Sequence, residues 1–153
     1  MVHARVSEEM PASCEAVFDL VHDYTRRLEW DTLLREAFVE GGAPAGHGAI
    51  AVCSGRWLIG GLTLRTVYVS FERGEVAAVK MINAPPLFAS WAASIRHEPL
   101  GEARSLITYT YNFRAKPRWL AWLLEPILAI VFRWETGRRL RALQRELLRS
   151  GRQ

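Results

Sequence analysis

Four histidines and two cysteines are the residues of this chain best suited to proton transfer, metal binding or nucleophilic attack. They are His3, His22, His47 and His97, with Cys14 and Cys53. Their spacing supports little of that chemistry. A metal site takes three or four His, Cys or carboxylate ligands at short, recurring intervals, and no such cluster is present. The cysteines form no CxxC pair, and nothing in their placement suggests a disulfide. A general acid or base must sit at the reacting atom. Only His97 falls on a face that reads as inward, and a lone histidine without a visible partner is read as structural. "GHG" at Gly46–Gly48 lies in a loop. No nucleophile elbow, phosphate loop or dinucleotide fingerprint occurs. The sequence therefore assigns no catalytic residue, no metal and no cofactor.

Aromatic side chains at alternate positions are better represented. In "SLITYTYNF", Ile107, Tyr109, Tyr111 and Phe113 share one face, and Leu106, Thr108, Thr110 and Asn112 the other. In "SWAASIRHE", Trp91, Ala93, Ile95 and His97 share a face. In "LTLRTVYV", Leu62, Leu64, Thr66 and Tyr68 alternate against Arg65. The larger, more apolar set of each strand is expected to face inward. Tyr68, Trp91, Ile95, Tyr109, Tyr111 and Phe113 then border a concave surface. Apolar bodies with a few hydroxyls for orientation suit an apolar or aromatic small molecule.

Several elements must hold that surface. "VHARV" alternates as a strand, with Val2, Ala4 and Val6 on one face. Ser13 is a suitable N-cap for a helix from Cys14 whose stripe is Val17, Phe18, Leu20 and Val21. "HDY" interrupts it, and a second short helix from about Thr25 carries Leu28, Trp30, Leu33 and Leu34. Strands follow in "REAFVEG", "AIAVCSG", "LTLRTVYVSFERG", "EVAAVKMINA", "LFASWAASIRHEP" and "RSLITYTYNFRAKP". Turn signals at Gly60–Gly61, Arg73–Gly74, Pro85–Pro86 and Leu100–Gly101 separate them, so an antiparallel meander is expected. The last third is helical. Pro117 can start a helix and Pro126 marks a kink or restart. Ile127, Ile130, Val131 and Trp134 recur at helical spacing, continued by Leu140, Leu143 and Leu147. This stripe is expected to face the sheet, which adds Ile127, Val131 and Trp134 to the ligand-binding set.

The stretch "MPASCEAVFDLVHDYTRRLEWDTLLREA" resembles the opening of the START-like (SRPBCC) superfamily, the polyketide cyclase/dehydrase and lipid-transport proteins. Pro11, Ala12, Ser13, Val17, Phe18, Asp23, Tyr24, Trp30 and Asp31 carry the likeness. "RHEPLGEARSLITYTYNFRAKP" and "LLEP" extend it over nearly the whole chain. The resemblance implies an α+β helix-grip fold: a curved antiparallel sheet wrapped around a long C-terminal helix, with two short helices after the first strand. The resemblance also implies a cavity between sheet and helix. Trp30 is then a wedge at one end of the sheet, and Asp31 caps or turns the chain.

The totals agree with one domain spanning residues 1–153. Half of the residues are apolar and 24% are charged, which leaves no room for extensive disorder. "MVHARVSEEM" lacks the apolar core of a secretory leader. The apolar stretch Trp119–Trp134 is broken by Glu125, Pro126 and Arg133, and is short of the roughly 20 residues that span a bilayer. A cytoplasmic location is the expectation. The net charge is +4, and seven arginines fall between Arg133 and Arg152. A basic tail can attract phosphate or anionic lipid, but its leucines must pack and no nucleic-acid reading motif is present, so nucleic acid is not the expected partner. Trp119 and Trp122, beside Arg114, Lys116 and Arg118, suit transient contact with an anionic membrane. The reading is a module that binds or carries a hydrophobic small molecule such as a lipid, isoprenoid or polyketide. The alternatives are a polyketide aromatase/cyclase-type enzyme, and a protein that docks on membranes or ribonucleoprotein.

Overall fold

The computed structural model describes residues 1–56 and 62–150. Seven strands form one antiparallel sheet: β1 (Val2–Met10), β2 (Leu34–Val39), β3 (Ile50–Gly55), β4 (Thr63–Glu72), β5 (Val76–Met81), β6 (Phe88–Gly101) and β7 (Arg104–Ala115). Their spatial order is β1-β7-β6-β5-β4-β3-β2. The chain therefore meanders from β2 to β7, and β1 closes the far edge beside β7. Two short helices, α1 (Cys14–Val21) and α2 (Arg27–Trp30), link β1 to β2. A single long helix, α3 (Ala121–Ser150), follows β7 after a 3-10 turn over Arg118–Leu120. The expected turn at Gly60–Gly61 lies outside the described residues.

The expected elements form for the expected local reasons. Ser13 caps α1, its hydroxyl accepting from the Ala16 N–H at 3.2 Å, and Val17, Phe18, Leu20 and Val21 are buried along one stripe. β1 runs longer than the alternation of Val2, Ala4 and Val6 alone implied, out to a buried Met10. α2 is shorter than expected. Leu28 on it is exposed, while Leu33 and Leu34 pack beyond it, Leu34 opening β2. Gly41 and Gly42 follow β2 with φ of 74° and 69°. Two consecutive left-handed residues turn the chain there, and only glycine adopts that backbone freely. Pro126 neither starts nor ends a helix: α3 runs through it, at the cost of the hydrogen bond its missing N–H would have donated to Trp122.

The face of α3 that grips the sheet differs from the expected one. Ile127, Ile130 and Trp134 point outward, at 52%, 72% and 54% exposure, and Val131 is only partly buried. The buried face is Phe132, Glu135, Thr136, Arg139, Leu140, Leu143 and Leu147. α3 packs chiefly against β1 and β7, with α2 touching it from the side. Its opening stretch, Ala121–Val131, contributes no buried residue. The helix carries two apolar stripes out of phase with each other, and only the later one meets the sheet.

A cavity with one charged end

Strand register explains why the concave face is hollow. Across the sheet, Tyr68 pairs with Val79, Val79 with Ala93, and Ala93 with Tyr111. One step along, Phe71 pairs with Ala77, Ala77 with Ile95, and Ile95 with Tyr109. Each row thus carries an alanine between bulky neighbours. α3 lies chiefly over β1 and β7, and Ala77 and Ala93 are left on the wall of a hollow. An internal cavity of about 80 Å³ results. Its apolar wall includes Leu64, Phe88, Trp91, Ile95, Tyr109 and Phe132.

The opposite end is polar, and it is built by α1, α2 and the middle of α3. His22 follows the last turn of α1, its backbone N–H donating to the Phe18 carbonyl at 3.1 Å. Its ring is buried against Phe18. His22 Nδ1 lies 2.9 Å from the Tyr68 hydroxyl, which lies 2.7 Å from that of Tyr24. His22 Nε2 is buried and has no hydrogen-bond partner among the described residues. Burial, with Arg27 and His97 nearby, lowers the His22 pKa to about 3, so the ring is neutral. Burial raises Tyr24 to about 12 and pushes Tyr68 well above the ordinary phenol. It also raises the Cys53 thiol. These four groups are uncharged near neutral pH.

Two guanidiniums are not. Arg27 Nε donates to Asp31 Oδ2 at 2.8 Å, and its Nη1 reaches the Val21 carbonyl at 2.8 Å, tying α2 to the end of α1. Arg139, from α3, donates through Nε to Asp31 Oδ1 at 3.0 Å and through Nη2 to Oδ2 at 2.9 Å. The Leu33 N–H adds a fourth donor at 3.1 Å. Asp31 is fully enclosed. Burial alone would raise its pKa, but Arg139 and Arg27 outweigh that and hold the carboxyl below its ordinary value. Burial opposes charge on both arginines as well, and Asp31 reverses the balance, raising each. Arg27 also lies over the Trp30 ring, and Arg139 over Tyr109. Two guanidiniums against one carboxylate leave one positive charge at the cavity end. An uncompensated buried charge is costly, so this end favours an electron-rich partner.

Of the nine residues the sequence proposed, Tyr68, Trp91, Ile95 and Tyr109 line the cavity. Tyr111 and Phe113 face inward but pack into the core against Phe132. Val131 is no part of the wall, and Ile127 and Trp134 face away from the sheet, because α3 is turned to present Phe132 and Arg139 instead. His97 is buried on the inward face as expected, though away from the cavity, with neither ring nitrogen hydrogen-bonded. Sequence reasoning missed His22, Tyr24, Arg27 and Arg139. One signal for Arg139 was available: it falls between Phe132 and Leu143 on the same helical face. Asp31 was expected to turn the chain, and through Leu33 it does, but its main partners are the two arginines. Trp30 is buried, as a wedge should be.

Both cysteines are free. Among the described residues no group of His, Cys, Asp and Glu could hold a metal ion, and no helix is long and apolar enough to cross a membrane.

A curved antiparallel sheet wrapped on a C-terminal helix, hollow between them, defines a START-like helix-grip protein. The chain belongs to the polyketide cyclase/dehydrase and lipid transport family, whose model matches residues 1–148. No curated sequence matches it. Among solved structures it is similar to the Zhui aromatase/cyclase from Streptomyces sp. R1128, with a TM-score of 0.79 and 15% identity over 97% of this chain and 94% of that one. A START superfamily protein from Mycobacterium smegmatis gives 0.75 and 12%, over 95% and 98%. A norcoclaurine synthase from Thalictrum gives 0.72 and 13%, over 98% and 96%. At such identities the likeness is one of fold.

Proposed function

We propose that the protein binds or carries a hydrophobic small molecule of lipid, isoprenoid or polyketide type, with its polar end held at Arg27 and Arg139. The observation that carries this reading is the asymmetry of the cavity: an apolar wall with a single net positive charge at one end. The family's lipid-transport and cyclase members support an apolar ligand. At about 80 Å³ the cavity is far below the roughly 300–1,000 Å³ of ligand pockets, so loading requires the walls to part. His22 and Tyr24 border both the cavity and an open groove lined by Phe18, Phe38, Val39 and Phe71. Among the described residues, His22 and Tyr24 therefore stand as a partition between the two.

Calorimetric titration with dodecanoate and with its methyl ester tests the reading. The acid should bind about tenfold more tightly or better, a difference of about 1.4 kcal/mol. Equal affinities remove the charged end, and no binding of either removes the carrier reading. Tyr109→Ala should weaken binding of an apolar fluorescent probe more than Thr108→Ala, since the two side chains stand on opposite faces of β7.

The second reading is an aromatase/cyclase, favoured by the same polar end. Arg139 and the tyrosine hydroxyls could stabilise an enolate oxygen while its carbon attacks a ketone and water is lost. A histidine whose pKa is about 3 is a weak base, and base strength matters for the proton abstraction. This favours binding over turnover. Incubation with a poly-β-ketone thioester, followed by mass spectrometry for a product lighter by one water, separates the two.

A further inference from the structure

The outer face of α3 and the 3-10 turn before it line no part of the cavity, and together they expose many bulky apolar side chains. Trp119 and Trp122 are each 75% exposed, Ile130 is 72%, Trp134 54%, Ile127 52% and Leu123 45%. Single exposed apolar residues are ordinary, but six bulky ones along one short segment mark a contact surface. Leu123, Ile127, Ile130 and Trp134 are spaced three and four apart, so they form one strip along the helix, about 16 Å long at 1.5 Å per residue.

The surroundings of the strip are cationic. Arg114, Lys116 and Arg118 precede it, and Arg133, Arg141 and Arg145 lie within or beyond it. Among the described residues none of these six makes an ion pair. Arg138 lies over the Trp134 ring, 4.8 Å from its centroid. The acidic residues of α3 are all engaged elsewhere. Glu125 holds the N-terminal amine at 3.1 Å. Glu135 is buried beneath Arg138. Glu146 is buried and takes Arg26 and Arg149. Among the described residues no carboxylate of the helix pairs with any of the six cations named above.

We propose that this face docks on an anionic lipid surface, with Trp119, Trp122, Ile127, Ile130 and Trp134 at the level of the headgroups. Exposed tryptophans flanked by unpaired Arg and Lys match an interface that is apolar below and negatively charged above. A second copy of the chain would bring the same unpaired cations against this face, where like charges repel. The lipid surface satisfies both the apolar strip and its charge. The docking does not depend on what the cavity binds.

Co-sedimentation with vesicles tests it on the full chain. Vesicles of phosphatidylcholine with roughly one third phosphatidylglycerol should pellet the protein at low salt, and pure phosphatidylcholine should not. Raising salt to about 0.5 M should release it, because the charges are screened. The variant Trp119→Ser/Trp122→Ser/Ile130→Ser changes only exposed side chains and should keep the far-UV circular dichroism and melting temperature of the parent. Its partitioning should fall by about tenfold or more. Arg133→Gln/Arg141→Gln/Arg145→Gln should weaken binding to anionic vesicles by a similar factor. Absence of pelleting on anionic vesicles at low salt overturns the proposal. So does equal pelleting by the triple-serine variant. A dimer seen by analytical ultracentrifugation and dissolved by that variant, with no vesicle binding, assigns the face to a second copy instead.

Discussion

Replacing His97 by leucine should make the protein markedly less sensitive to acid. His97 lies on β6 at 5% exposure, and neither ring nitrogen has a hydrogen-bond partner. Its ring meets that of Phe18 edge-on. Glu15, Glu75, Arg96 and Glu98 line the opening beside it, yet among the described residues none pairs with it. Burial therefore decides its titration and lowers the pKa to about 4. In the unfolded chain an imidazole titrates near 6.5. As pH falls below that value the unfolded state takes up a proton that the folded state refuses. Stability is then lost at about 1.4 kcal/mol per pH unit, until the folded pKa is reached. Between pH 7.5 and pH 5 the loss from His97 is about 2 kcal/mol. His22, with a folded pKa of about 3, loses about the same over that window. Urea unfolding followed by circular dichroism at both pH values measures the sum. The wild type should lose about 4 kcal/mol and His97→Leu about 2 kcal/mol. At pH 7.5 the variant should be as stable as the parent or more so, since two buried nitrogens without partners are removed. Parallel pH dependence in the two proteins would refute the account of His97 as a desolvated, unpaired imidazole.

The orientation of α3 is open to a direct comparison: Phe132→Ala should cost about 3–5 kcal/mol, whereas Ile130→Ala should stay within about 0.5 kcal/mol, both read from urea midpoints. Asp31→Asn leaves Arg27 and Arg139 buried without their counterion, so thermal and urea unfolding should report a loss of about 3–5 kcal/mol; wild-type stability in that variant removes the argument for a buried ion cluster. Ser13→Ala deletes the side-chain cap of α1, and a loss of about 1 kcal/mol is expected in the same assay.

The sequence by itself determined the strands and which way they face. Alternation in "SLITYTYNF" and "SWAASIRHE" placed Tyr109, Tyr111, Trp91 and Ile95 inward, because a strand has only two faces and burial selects the apolar one. It also determined the cap at Ser13 and, through the likeness carried by Pro11 to Asp31, the helix-grip fold. Tertiary structure decided which stripe of α3 is buried. A helix can be rotated continuously about its axis, and this one carries two apolar stripes, so periodicity favoured the bulkier set of Ile127, Ile130 and Trp134. The face that packs includes Arg139 and Glu146, whose polarity is met by Asp31 and Arg26 more than a hundred residues away. Tertiary structure also made the cavity and its charge. Ala77 and Ala93 become a void only when register sets them between larger neighbours. Arg27, Asp31, Arg139, His22, Tyr24 and Tyr68 come from α2, α3, β4 and the segments that follow α1 and α2. No local pattern announces such a cluster, because its members stabilise one another only once the sheet has brought them together.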